Sequence, residues 1–186
     1  MTHPILKTAI RTMFTFRSRE KAMAQSRILR DKYAGLARGM SGEAGQLRVK
    51  VPPMPGVDED MWDWSFFMIL AHNTIVNRGI TEIVTQLSRG ETPSGAAEMD
   101  MKKDVMPSPD ADEAQLDLFA DSVTRHLEAV GSLGRLRGTQ TLTHPVFGDF
   151  DAHKWHCMFA FHLGLHYPQA KFVADKARSE KPGDSG

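Results

Sequence analysis

The chain is poor in cysteine. Cys157 is the only one among 186 residues, so no disulfide can close within it. That fits a reducing compartment, and a cytoplasmic location is the expectation. Net charge is missing too. Lysine plus arginine number 23, as do aspartate plus glutamate, so no field of one sign draws the chain to nucleic acid or to an anionic membrane. No apolar run reaches the roughly 18 residues that a membrane span requires. The first twenty residues, MTHPILKTAIRTMFTFRSRE, hold no secretory h-region and no acid before Glu20. A transit peptide shares that second property; a short amphipathic helix on the domain is the simpler reading. Strand signals are scarce: LRVKV alternates apolar and basic residues but has no evident partner.

What the chain does have is helical periodicity. Four segments carry apolar residues at alternating spacings of four and three, and breakers separate them. The first spans 18–40, with Ala22, Ser26, Leu29, Tyr33, Leu36 and Met40 on one face. The second spans 58–87. Asp58, Glu59 and Asp60 suit a positive helix N-terminus, and its stripe reads Met61, Ser65, Met68, His72, Ile75, Gly79, Ile83. A connection over 88–110 follows, long for a structureless loop in a compact domain; folding over the end of a site and being mobile are its two expected alternatives. The third spans 110–131, with Asp110 or Asp112 as cap and a stripe of Leu116, Phe119, Val123, Leu127 and Val130. TQTLTHPVFGD reads as a loop. The fourth spans 151–178, with Trp155, Phe159, His162, His166, Gln169 and Val173 in register. Pro168 lies inside it and removes one backbone hydrogen bond, which predicts a bend. The pattern predicts an all-α helical bundle over 18–178, an amphipathic extension over 1–17 and a flexible tail over 179–186.

His162 and His166, four apart in FAFHLGLHYPQ, project from one side of a helix, and both fall on its buried stripe. His72 falls on the stripe of the second helix. If those helices are neighbours, three imidazoles converge. Neutral imidazole ligates zinc, nickel, copper and iron, and three histidines plus water make an open, catalytic type of site. Three unligated core histidines are the alternative. Between the pair stand Leu163, Gly164 and Leu165, so the glutamate of the zincin HExxH motif is absent. Asn73, Asn77, Trp155 and Gln169 are candidates to line a pocket or orient ligands. His126, beside the third stripe, is the reserve ligand. His144 is expected to shape the loop before the fourth helix through a side-chain to backbone hydrogen bond. His153 and His156 are expected to lie off the inner stripe, Cys157 off the metal stripe, and His3 to be mobile.

AHNTIVNRGI in the second helix, LTHPVFGDFDAHKW leading into the fourth and HLGLHYPQ within it, in that order, resemble the DinB-like (YfiT-like) superfamily of metal-dependent proteins, and most closely its bacterial branch of unknown function. The resemblance runs from the first helix to about Val173. It implies an up-down four-helix bundle and a metal triad of one histidine from the second helix and an HxxxH pair from the fourth, here His72, His162 and His166. Zinc or nickel is the expected ion. It also implies two chemistries, hydrolysis by a metal-bound hydroxide and thiol-dependent transfer on a small-molecule or thiol substrate; a non-catalytic metal-binding or stress-response bundle is the competing expectation. Related families pair through bundle faces, and the apolar surplus of Ile5, Leu6, Ile10, Met13, Phe14 and Phe16 predicts a homodimer. The extension, the 88–110 connection and Pro168 depart from a typical member and bear on the shape of the site mouth.

Overall fold

The computed structural model describes residues 4–93 and 104–179. His3, residues 94–103 of the 88–110 connection and all but the first residue of the C-terminal tail lie outside the described residues. The chain is mostly helical. Among the described residues six helices, α1 (Pro4–Phe16), α2 (Arg19–Ala37), α3 (Gly42–Gln46), α4 (Phe66–Ser88), α5 (Ala114–Ser132) and α6 (Ala152–Ser179), are joined by segments that hold four very short strands. The long helices close a ring in which α4 packs on α5 and α6, and α2 packs on α6 and α5.

Local chemistry sets the boundaries. Ser18 Oγ accepts from the amide of Lys21 and starts α2, and Gly39, at φ 70°, follows its end. The second segment starts later than its acids predict. Ser65 Oγ accepts from the Met68 amide, so α4 begins at Phe66, while Asp58–Asp60 belong to a loop and a 3-10 turn over Glu59–Met61. Asp112 Oδ1 accepts from the Ala114 amide, and Asp151 Oδ1 from that of Lys154, opening α5 and α6. α6 runs through Pro168 as one helix. Because proline has no N–H, the Gly164 carbonyl lacks its usual donor there.

The strand expectations need two corrections. LRVKV does find a partner: β1 (Val49–Lys50) pairs antiparallel with β2 (Asp63–Trp64), Val49 opposite Trp64. TQTLTHPVFGD is not all loop: β3 (Leu142–His144) and β4 (Gly148–Phe150) form a hairpin. His144 shapes its turn as expected, its Nδ1 accepting from the amides of Val146 at 3.1 Å and Phe147 at 3.3 Å.

The stripes of α2, α5 and α6 are buried as predicted, except that Met40 and Leu116 at two ends are only half-buried. That of α4 is not: Ile75 is 37% exposed, while Asn73 and Asn77 are fully buried. The first two turns of α4 are enclosed on all sides, from Phe66 to Thr74. Apolar residues there do not mark a face, and the polar ones turn inward to partners. His153 and His156 are also buried, contrary to expectation. α1 and the start of α2 cover that side of α6, so His153 donates from Nε2 to Arg17 O at 2.9 Å and His156 from Nε2 to Arg19 O at 3.2 Å.

α1 is anchored by Ile10 and Phe14. The Phe14 ring meets Phe150 and Phe161 edge-on at 5.7 and 5.6 Å, and truncating so well packed a ring costs about 3–5 kcal/mol. Its other apolar residues stay outside, Phe16 at 82% exposed and Ile5 at 73%. Among the described residues no helix is long and apolar enough to cross a membrane.

Candidate metal centre

His72 on α4 and His162 and His166 on α6 meet in the core. Their candidate ligand atoms all lie within 4.8 Å of one another. The residues are 2%, 8% and 2% exposed. The spacing of four on α6 supplies the pair, and the packing of α4 on α6 supplies the third ring.

Each outer nitrogen defines what the inner one can do. His72 Nδ1 lies 2.8 Å from the carbonyl of Val105, which only accepts, so Nδ1 carries the proton and Nε2 presents a lone pair. His166 Nδ1 lies 3.0 Å from Gln169 Oε1, and Gln169 Nε2 donates to Met61 O at 2.8 Å. The amide orientation set by Met61 O makes Oε1 the acceptor, so His166 Nε2 is also bare. His162 Nε2 stands 3.3 Å from His72 Nε2, and His162 Nδ1 is buried without a partner. Two imidazole nitrogens bound to one tetrahedral zinc at about 2.0–2.1 Å are about 3.3–3.4 Å apart, so this pair already has the separation that an ion requires. The third nitrogen fits more loosely.

Burial keeps all three rings neutral. It pushes His72 down to about 4, with the charge of a protonated His166 as the second cause. His162 is lowered well below the usual range by burial, then by His166 and His72. His166 is lowered by burial, and its bond to Gln169 works against the shift. Neutral rings are the ligating form at neutral pH. The chemistry of the donor set therefore fits a borderline divalent cation: three buried histidines that can hold a metal ion. No carboxylate belongs to the cluster among the described residues.

Segments far apart in sequence roof the triad. The Trp64 ring lies 5.2 Å from His72. Gly56, at φ 75°, lies so close to Leu165, between the two α6 ligands, that a Cβ would meet its side chain at 2.3 Å. Val105, in the 88–110 connection, closes over His72. Neither carbonyl partner, Val105 or Met61, has a side-chain signature in sequence. Gln169 does, as the next polar residue on the α6 stripe.

The remaining candidates have other partners. Asn73 Nδ2 donates to Ile69 O at 3.0 Å and to the Tyr33 hydroxyl at 3.4 Å. Asn77 Nδ2 donates to Ser122 Oγ at 2.9 Å. Trp155 Nε1 donates to Leu142 O at 3.3 Å, and its ring lies 5.3 Å from that of His144. His126 is committed elsewhere. Because Arg19 O can only accept, His156 Nε2 carries the proton, and His156 Nδ1 accepts from His126 Nε2 at 2.9 Å. His126 Nδ1 lies 2.9 Å from the Thr81 hydroxyl, whose single proton also has the Asn77 carbonyl as an acceptor at 2.6 Å. This chain ties α4, α5, α6 and α2 together with neutral rings, each lowered chiefly by burial. The Cys157 thiol is buried and pushed up to about 12, which makes it a poor nucleophile.

Two clefts among the described residues lie away from the triad. One, of about 410 Å³, lies between α4 and α5 around Thr81, Arg78 and Arg125. The other, of about 360 Å³, lies beside Arg19 and Arg137.

No curated protein and no solved structure matches the chain. A family model, that of the DinB superfamily, matches residues 25–170. The match takes in α4 and α5, most of α2 and α6, and all three histidines. With one helix giving a single histidine, another giving a pair, and that match across most of its length, the chain belongs to the DinB superfamily.

Proposed function

We propose that the protein is a metal-binding up-down four-helix bundle whose ion is held by Nε2 of His72, His162 and His166, and that the site is of the enzymatic type. The observation that carries the reading is the pair of lone-pair nitrogens on His72 and His166, each fixed by a proton acceptor behind it, with His162 Nε2 at 3.3 Å from the first. An ion held by three neutral ligands keeps its full charge and supplies an open position for a water, with its pKa brought toward about 7 in the zinc case, or for a thiolate. The protein's own part is to hold the His72 and His166 rings in one tautomer and to keep bulk water away with Trp64, Leu165 and the Met61 and Val105 backbone. Zinc or nickel is the ion, and the substrate class is a small ester, amide or thiol conjugate. A second reading, an ion that braces α4 against α6 without catalysis, draws support from the burial of all three rings and from the lack of a carboxylate among them.

Elemental analysis after dialysis tests the metal reading, with one equivalent of ion expected. Screening the loaded protein against esters, amides and thiol conjugates separates the two readings, because a bracing ion supports no turnover. The exposed Ile5, Leu6, Met13 and Phe16 on α1 support a homodimer formed through that helix, and the single buried cysteine supports a reducing compartment.

A further inference from the structure

One hydroxyl group stands between the two helices that carry the triad. Tyr33, on α2, is 1% exposed. Its O–H donates to Leu163 O at 3.0 Å and accepts from Asn73 Nδ2 at 3.4 Å. Leu163 directly follows His162, and Asn73 directly follows His72. The ring is held from two sides, by Phe119 at 4.9 Å and by Tyr167 at 5.5 Å. The phenol is fixed by packing, and burial raises its pKa far above the usual range, so it stays a neutral donor.

We infer that Tyr33 and Asn73 are positioning residues for the metal centre, a hydrogen-bonded tie that sets the spacing of α4 and α6 and hence the separation of His72 Nε2 from His162 Nε2. The inference rests on the metal reading above. Two features separate this role from ordinary core polarity. First, neither partner depends on the hydroxyl alone: Asn73 Nδ2 also donates to Ile69 O at 3.0 Å, and Leu163 O lies within the α6 ladder. Removing the hydroxyl leaves one of the two Asn73 N–H donors without a partner but keeps the other bonded to Ile69 O, so the cost in stability is modest. Second, the tie sits where α6 is softest. Pro168 deprives the Gly164 carbonyl of its donor, in the same turn that separates His162 from His166. Metal–ligand distances tolerate about 0.2 Å of error, so a small relaxation between the helices loosens the site without unfolding it.

The experiment uses cobalt(II) as probe, because its visible d–d bands report ligand geometry directly. Wild type, Tyr33→Phe and Asn73→Leu are compared for cobalt affinity by chelator competition, for band positions and intensities, and for the thermal midpoint of the metal-free protein. Tyr33→Phe is expected to weaken cobalt binding about ten-fold, within the range seen for groups behind metal ligands. It should also shift the d–d spectrum and move the metal-free midpoint by no more than a few degrees. Asn73→Leu should shift the spectrum in the same way, and the double variant should add little, since both cut one tie. Thr81→Val, in the separate His126 network, should leave the spectrum unchanged. An unchanged spectrum with affinity within two-fold of wild type overturns the inference, as does a lowered metal-free midpoint with an unchanged spectrum, which marks a purely structural role. A wild-type protein that takes up no cobalt overturns the metal reading itself, and the inference falls with it.

Discussion

Replacing Gln169 by leucine tests the logic of the triad most directly. Gln169 makes two buried bonds, accepting from His166 Nδ1 at 3.0 Å and donating to Met61 O at 2.8 Å. Leucine has similar bulk, so little cavity forms and the loss is polar. Two groups are left without partners, at about 1–3 kcal/mol each. Met61 is only half-buried and can turn to water, so a total near 2–3 kcal/mol is expected for the metal-free protein. The effect on metal has a different origin. Without an acceptor behind it, the His166 proton is no longer held on Nδ1, the tautomers compete, and affinity falls about 10–100-fold, equivalent to about 1.4–2.7 kcal/mol. Gln169→Glu separates the two losses. It keeps an acceptor for His166 Nδ1, so metal affinity should hold within a few-fold even as stability falls. Zinc affinity by chelator competition at pH 7.5 and metal-free unfolding by circular dichroism measure both quantities. Wild-type zinc affinity in Gln169→Leu, or equal losses of affinity in the leucine and glutamate variants, would refute the tautomer argument.

The triad itself should behave as a unit: His162→Ala and His166→Ala should abolish stoichiometric metal and His72→Ala should weaken it severely, by elemental analysis after dialysis, whereas a triple alanine variant keeping one equivalent contradicts the assignment. Stability should fall in acid. His144 and His156 sit near 4 in the fold against an ordinary 6.5, so the unfolded chain takes up protons first; stability is intact above about pH 6.5 and lost as pH falls toward 4, by up to about 3 kcal/mol per group. Urea midpoints that are flat between pH 7.5 and 4.5 contradict this. Gly56→Ala should lower the thermal midpoint more than Gly90→Ala, since both residues have positive φ but only Gly56 meets a neighbour, Leu165. Light scattering should return a dimer mass, and Phe16→Asp should shift it toward monomer; a wild-type monomer at high concentration contradicts the dimer.

The sequence was most legible where helices have one wet side. The stripe of α5 could be read because solvent enforces the alternation, and the α6 stripe carried His162, His166 and Gln169 although the first turns of that helix are nearly enclosed. α4 was harder. Its first turns are enclosed, so Asn73 and Asn77 face inward while Ile75 stands outside, and their partners, Tyr33 and Ser122, lie on other helices. His72 was found because it has neighbours of either kind on the same face. The acids at 58–60 were attractive as a helix start, but Ser65 provides a side-chain acceptor with the right reach, and Asp58 makes no such bond. The alternation around β1 is visible in LRVKV, but its partner β2 is two residues, Asp63–Trp64, too short to show a period of two. His153 and His156 were assigned to a wet face that α1 in fact covers; no periodicity within α6 reports what another helix will lie against. Val105 was unreadable for a simpler reason: it contributes a backbone carbonyl, which every residue has.

The roof over the triad also governs time. The segment from Val51 to Trp62 is mostly loop. It is held at its ends by β1–β2, at one point by Gln169, and by the seat of Gly56 on Leu165. Such a segment opens locally at far less free energy than the whole bundle requires. Entry to the three nitrogens, and escape from them, is expected to need this loop to open, with Val51 and Val57 as the core contacts that resist it. Uptake and release should both be slow compared with an open groove of the same affinity, and both should speed up together when the loop is loosened. Its backbone amides should exchange with deuterium faster than those of α4 and α6 beneath it, and on the proposed metal reading that rate should limit how fast the histidines take up an ion.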